Sequence, residues 1–239
     1  MKASWTSLVV GMAIASAAGR AGADPSHDFG RRGTFVLAAD RVMPLIAYSE
    51  EKATGNNFST STSVTSLSFF SYGVPQDIAY TIPRLALDYA IAPNITIGGS
   101  VAAFWQLSNS STTKIGNMTD SGDNPKVSGW EVAPRVGYVV PLGPKLVLWP
   151  RGGFSYYSES VSNPPNGGML GTVDGFHQFA LDLEGNFLIV LAPHFFASLG
   201  PVIDIPLSGS TSTTQGNTTT SIDYSQFHFG VTGGLGGYF

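Results

Sequence analysis

Ile95-Thr96-Ile97-Gly98-Gly99-Ser100-Val101-Ala102-Ala103-Phe104-Trp105-Gln106-Leu107 is the stretch on which the fold turns. Ile95, Ile97, Gly99, Val101, Ala103, Trp105 and Leu107 share one side of an extended chain. Thr96, Gly98, Ser100, Ala102, Phe104 and Gln106 share the other. A period of two marks a strand with one apolar face. The pattern returns in both directions along the chain. Residues 130–142 set Trp130, Val132, Val136, Tyr138, Val140 and Leu142 against Glu131, Ala133, Arg135 and Gly137. Residues 79–91 set Leu85, Leu87, Tyr89 and Ile91 against Arg84 and Asp88. Residues 146–157, 177–189, 195–207 and 222–239 repeat the scheme, with Arg151, Asp182, Glu184 and Asp204 on their polar faces. A first strand over 34–48 is irregular, because Asp40 and Arg41 are adjacent; a β-bulge there keeps both off the apolar face.

The connectors between these strands alternate in length. Ala92-Pro93-Asn94, Gly143-Pro144-Lys145 and Ala192-Pro193 read as tight turns, whereas 109–128, 158–176 and 208–221 read as long polar loops. From 208 to 221, ten of fourteen residues are Ser or Thr, which leaves no apolar face to bury. Residues 49–78 are ambiguous, since Val64 to Val74 has strand character of its own. Treating 64–74 as wall beyond the main barrel gives eight spanning strands, an even number with both termini at the short-turn end. The expected fold is therefore an all-β, eight-stranded antiparallel up-and-down barrel.

Composition narrows the solvent. The 239 residues carry 12% charged side chains and 29 glycines, with a net charge of −4, whereas a soluble domain has about 25% charged residues. The absence of cysteine excludes disulfides and thiolate chemistry. With Arg31-Arg32 as the longest basic run, nucleic-acid binding is not expected. Lys2, the apolar run Leu8 to Ala18 and Ala21-Gly22-Ala23 read as a cleaved export signal over 1–23, so that the barrel domain comprises 24–239. No later apolar run approaches the roughly 20 residues of a spanning helix. A membrane-embedded form must then be a closed barrel, which satisfies its backbone groups between strands.

Two features turn such a barrel inside out relative to a soluble, lipocalin-like one. Its polar faces are rich in Gly, Ala and Ser, suited to a narrow filled lumen. Its aromatics form two bands on the apolar side: Trp105, Trp130, Tyr156, Phe179 and Phe227 near the long-loop end, and Phe35, Tyr89, Phe187, Phe195 and Phe239 near the short-turn end. Paired girdles of this kind mark the two lipid interfaces. The C-terminal run Phe227-His228-Phe229-Gly230-Val231-Thr232-Gly233-Gly234-Leu235-Gly236-Gly237-Tyr238-Phe239 completes the pattern. The mature chain thereby resembles the small eight-stranded outer-membrane β-barrels of the OmpA/OmpX type. The resemblance implies a Gram-negative outer-membrane location, with outer-membrane lipid and lipopolysaccharide as partners. It also implies that Phe229, Val231, Leu235 and Phe239 are the signal read by the barrel assembly machinery. Gly233 and Gly237 are smaller than that pattern usually has.

The lumen-facing charges expected from alternation are Arg84, Asp88, Glu131, Arg135, Arg151, Asp182, Glu184 and Asp204, joined by Asp40 and Arg41 if the bulge forms. Six acids and four bases in one narrow tube are expected to pair into a solid plug. Arg151, with Arg84 or Arg135, is the expected partner of the crowded Asp182, Glu184 and Asp204. No catalytic residue, cofactor or metal is assigned. His228 is not accompanied by a nucleophile motif, and Asp120-Ser121-Gly122-Asp123-Asn124 lacks the spacing of a calcium loop and reads as a solvated turn. The expected function is structural or surface-interacting, through the Ser/Thr-rich loops of a monomer. The alternatives are a narrow pore, a soluble binding barrel and a barrel enzyme acting on lipid.

Overall fold

A tilted strand crosses a bilayer in about 9–11 residues. β3 (Arg84–Ala92) and β4 (Ile95–Trp105) have 9 and 11. Other strands are longer: β1 (Phe35–Gly55), β10 (Thr172–Ala192), β11 (Phe195–Gln215) and β12 (Thr218–Tyr238) each run for 21 residues, about twice the crossing length. The computed structural model describes residues 29–55, 58–67, 82–105, 110–115, 118–123, 126–162, 172–215 and 218–239.

Pairing closes a ring. With β7 (Lys126–Tyr138) and β9 (Leu146–Ser162), the antiparallel order is β12-β1-β3-β4-β7-β9-β10-β11 and back to β12. Eight strand positions thus surround one lumen, as alternation and turn length predicted. The other segments extend those positions. β2 (Phe58–Leu67) continues the β3 position upward, because β1 pairs with β3 through Phe35–Asp40 and with β2 through Ile46–Gly55. Residues 64–67 therefore lie in the wall extension, and 68–74 lie outside the described residues. β5 (Ser110–Ile115) and β6 (Met118–Asp123) keep the register of β4 against β7: Ile95 faces Tyr138, Trp105 faces Ser128 and Ser110 faces Asp123.

Three expectations need correction. The long polar connectors are largely strand, not loop. Thr172–Phe176 pairs with β11 or β9, β11 and β12 stay paired to Gln215 and Thr218, and Met118–Asp123 is a strand where a solvated turn was expected. Ser and Thr suit extended backbone well enough that a ladder started in the membrane continues beyond it. Second, 130–142 is not one strand. Val139 interrupts it, and β8 (Val140–Gly143) pairs separately with β9. Val139 and Val140 are consequently both buried, where Val140 was expected to face outward. Third, β3 begins at Arg84, and 79–81 fall outside the described residues.

The wall has the polarity of a barrel in lipid. Leu85, Leu87, Ile97, Val101, Val136, Phe154, Phe187, Ile189 and Leu199 are exposed on the outside, while Asp88, Arg135, Glu131, Asp182 and Asp204 are buried inside. At about 25 cal/mol per Å² of apolar surface, this arrangement is unfavourable in water and favourable in hydrocarbon. The same wall satisfies its backbone by ladder bonds around the closed ring, as lipid requires.

Candidate functional site: the charged lumen

The adjacent Asp40 and Arg41 are both buried, and the backbone accounts for it. Pairing of β1 with β12 slips between Ala39 and Met43, so Asp40, Arg41 and Val42 together face Gly234. Arg41 takes φ of 55°, a left-handed conformation that a non-glycine residue holds only where its surroundings fix it. The slip turns two consecutive charged side chains inward. Their contacts are the compensation.

Arg41 is the centre of the acidic side of the lumen. Its guanidinium donates through Nη1 and Nη2 to both carboxylate oxygens of Asp204, at 2.9 and 3.0 Å. Nη2 also reaches Asp182 at 3.0 Å and Glu184 at 3.4 Å. Asp182 and Asp204 sit directly opposite each other on β10 and β11. Two carboxylates so placed repel unless a cation lies between them, and Arg41 supplies it. Arg84 adds a second, at 2.7 Å from Asp182 and 2.6 Å from Glu131. His228 approaches Asp204 through Nδ1 at 3.2 Å.

Across the tube, Arg135 binds Asp88 bidentately, through Nε at 3.1 Å and Nη2 at 2.6 Å. It donates to Asp40 at 2.7 Å. Arg151 pairs with Glu184 and reaches Asp40 at 3.2 Å. The expected partners of the acidic group, Arg151 with Arg84 or Arg135, do reach it, at Glu184 and Asp182. Arg41 joins them and takes the largest share, because the bulge carries its side chain toward β10 and β11.

Glycines make these crossings possible. Asp88 on β3 and Arg135 on β7 are separated by β4, where Gly98 lies opposite both. A Cβ on Gly98 would stand 2.6 Å from Asp88 Oδ1 and Cα. One strand further on, Trp149 Nε1 donates to Thr96 Oγ1 at 3.1 Å across Gly137. A Cβ there would lie 2.6 Å from both atoms. The small residues of the polar faces are therefore the gaps through which long side chains meet.

Below the charges, toward the short turns, the lumen becomes apolar. Phe29 enters it from the N-terminal side and is 3% exposed. Its ring meets Trp149, Phe196 and Tyr238 edge-on, with centroids 5.2, 5.6 and 5.4 Å away. Val36, Ala38, Ala86, Val139, Val147 and Leu188 complete the cluster. Arg151 Cζ lies 4.4 Å from the Trp149 ring centroid, so Trp149 joins the two layers by a cation–π contact. The sequence reading missed this plug. Its available signal was Trp149 and Phe196, two large aromatics on nominally polar faces with no partner assigned. Above the charges, Gln178 Nε2 donates to the Gln226 carbonyl at 2.9 Å, and Gln226 Nε2 donates to Ser49 Oγ at 3.1 Å. Tyr157 then packs with Ile82, Phe104 and Phe176.

The lumen is thus layered and filled, with charges in the middle, aromatics at both ends and lipid-type apolar wall outside. Its architecture is that of a small outer-membrane β-barrel. The girdle residues of this barrel lie on the outer wall: Phe35 meets Tyr89 at 4.6 Å with the rings tilted by 41°, and Phe187, Phe195 and Phe239 are exposed near the same end. At the other end Trp105 is 71% exposed, Trp130 meets Tyr156 at 5.4 Å, Phe154 stacks on Phe179 at 5.3 Å, and Phe227 meets Tyr48 at 6.4 Å. On β12, Phe229 and Leu235 point outward and Val231 is half-buried, and Phe239, just past its end, is exposed.

No family model and no curated protein matches the sequence. Among solved structures, the chain is similar to the attachment invasion locus protein Ail of Yersinia pestis, with 11% identity over 87% of this chain and 99% of that one, and a TM-score of 0.34. It is also similar to OprG of Pseudomonas aeruginosa, with 14% identity, 86% and 96% coverage and a TM-score of 0.43. For the outer membrane protease OmpT of Escherichia coli the values are 9%, 87%, 97% and 0.46. At these identities the likeness is one of barrel architecture, and the ring, polarity and lumen of this chain stand on its own residues.

Proposed function

We propose that the protein is an integral outer-membrane barrel with a filled lumen, exported through cleavage of residues 1–23. In this reading its Ser/Thr-rich strand extensions are extracellular and make its contacts with lipopolysaccharide, neighbouring cells or host surfaces. The short turns are periplasmic, and Phe229, Val231, Leu235 and Phe239 are read by the assembly machinery. The observation that carries the proposal is the closed middle of the tube: Arg41, Arg84, Arg135 and Arg151 tie six carboxylates from β1, β3, β7, β10 and β11 above the Phe29 plug. An eight-stranded interior is just wide enough to be filled by its own side chains. A role carried by the outer surface follows.

The reading includes no catalytic step. His177 Nε2 lies 2.9 Å from Ser210 Oγ on the exposed upper wall. Asp223 stands on the far side of that serine, opposite it on β12, and Ser158 is the residue opposite His177 on β9. A Ser–His pair needs a group behind the histidine to orient it, and here the carboxylate flanks the serine. The test is planar-bilayer recording on refolded, heat-modifiable protein. Insertion without a steady conductance is the expected result, and a steady ohmic conductance overturns the filled-lumen reading.

A further inference from the structure

The lumen is filled up to the Gln178 and Gln226 layer and opens above it. On the inward faces of β9, β10 and β12, Tyr157, Gln178 and Gln226 are buried, at 2%, 1% and 3% exposure. One step further up the same faces, Glu159, Phe176 and Tyr224 are half-buried. Inward side chains regain contact with solvent where the tube widens to its mouth, so these three line the mouth.

The mouth is aromatic, with a carboxylate set among the rings. Phe176 on β10 stands directly opposite Glu159 on β9. Its ring meets Tyr224 at 4.7 Å and Tyr157 at 5.7 Å between centroids. Phe104 on β4 packs against Tyr157 from the other side, with its ring lying over Gly129. The Tyr157 hydroxyl donates to Glu159 Oε2 at 2.5 Å. Among the described residues no Lys or Arg pairs with Glu159; Lys52, on the outer wall, is paired with Glu50 at 3.1 Å. Burial pushes the Glu159 carboxyl up from its ordinary value, and the Tyr157 hydroxyl opposes the push. The six acids below have guanidiniums as counter-charges. Glu159, above the Tyr156 girdle, has a phenol.

We infer that the upper mouth of the barrel is a binding site for a small organic cation with an apolar body, such as an alkyl- or arylammonium. Glu159 is the counter-charge, and Phe176, Tyr224, Tyr157 and Phe104 are the aromatic walls. The occupant follows from the two chemistries together. Ring faces attract a cation, and most of all one whose charge is spread over methyl groups and weakly hydrated. A neutral apolar ligand would cover the carboxylate without compensating it, which costs free energy. A hard metal ion takes six or more oxygen ligands, and the mouth offers it rings instead. The inference rests on the outer-membrane reading only for the side from which the ligand arrives. Conductance tests the filled lumen, and binding tests the mouth.

The experiment uses the full mature barrel in nanodiscs of zwitterionic lipid and follows binding of benzyltrimethylammonium by titration calorimetry. Benzyl alcohol is the neutral probe and benzenesulfonate the anionic one. Saturable binding of the cation, and of neither other probe, is the expected result. Glu159→Gln is expected to weaken it about ten-fold and Tyr224→Leu about five-fold. Glu50→Gln, which removes a carboxylate from the outer wall, leaves the affinity in place. No saturable binding of the cation, equal binding of benzyl alcohol, or an affinity unchanged in Glu159→Gln overturns the assignment and makes the rings a packed cap. Insertion of each variant is read by heat-modified gel migration. Glu159→Gln keeps the size of the side chain, so it decides the matter if Tyr224→Leu does not insert.

Discussion

Strand β11 passes through two environments. From Phe195 to Leu207 it alternates apolar residues outward with Phe196, Val202 and Asp204 inward, and every position is constrained by lipid or by a packed lumen. From Ser208 it stays paired with β10, and from Ser210, after a break in the β12 register, with β12 again, but its sequence is now mainly Ser and Thr. The backbone is alike in the two halves, and the difference lies in what the side chains displace. In the lower half a substitution opens a cavity, strands a charge or exposes polar atoms to lipid. In the upper half water accommodates it.

That contrast predicts a ranking of stabilities, measured as urea midpoints of barrel folded in vesicles. The largest effect is expected for Arg41→Met, which leaves Asp182, Glu184 and Asp204 short of their shared cation. Removing one partner from a buried charge group costs about 3–5 kcal/mol, and here three carboxylates lose one at once. Lowered stability by that amount, with the folded wild type as reference, checks it. A loss below about 1 kcal/mol would show that the lumen charges are solvated and would erase the difference between the halves.

Much of this arrangement was legible in the sequence. Period-two alternation identified the wall, its lipid face and eight of the lumen charges, because pleat geometry sends neighbouring side chains to opposite faces without exception along a regular strand. Arg41 was accessible only conditionally, since its direction depends on a left-handed backbone residue that no spacing reveals. The plug was legible only in part: Trp149 and Phe196 stand on polar faces, but the ring they meet does not show in the spacing. Phe29 precedes the first strand, and its partners Trp149, Phe196 and Tyr238 come from three strands that only ring closure brings together. The extensions were misread as loops, because Ser/Thr-rich segments lack the hydrophobic contrast on which periodicity depends. Their pairing is inherited from the strands below.

Smaller effects sharpen the comparison. Phe29→Ala is expected to cost about 3 kcal/mol, by removing a ring held between three others. Its signature is a lowered midpoint with the spectroscopic environment of Trp149 altered. Gly98→Ala is expected to cost about 2 kcal/mol, since the added methyl meets the Leu87 carbonyl oxygen as well as Asp88, so that the β3 backbone and the Asp88–Arg135 pair must both shift. A neutral Gly98→Ala would mean that this crossing is slack. At the bottom of the scale, Thr220→Ala and Ser221→Ala in the exposed extension are each expected to stay within about 0.5 kcal/mol of wild type. Unfolding caused by either one would place the extension among the structures that hold the barrel together.

The central claim, a wall facing lipid around a solid lumen, is open to a direct measurement because the chain contains no cysteine. Ser100 and Val101 are adjacent and at nearly the same depth, yet Ser100 is 3% exposed inside the tube and Val101 is 52% exposed outside it. Ser100→Cys and Val101→Cys can each be challenged in the folded, membrane-inserted barrel with a water-soluble and a lipid-soluble maleimide. The account predicts that Val101→Cys reacts with the lipid-soluble reagent alone, and that Ser100→Cys reacts with neither until the barrel is unfolded. Ready labelling of Ser100→Cys by the water-soluble reagent in the folded protein would contradict it.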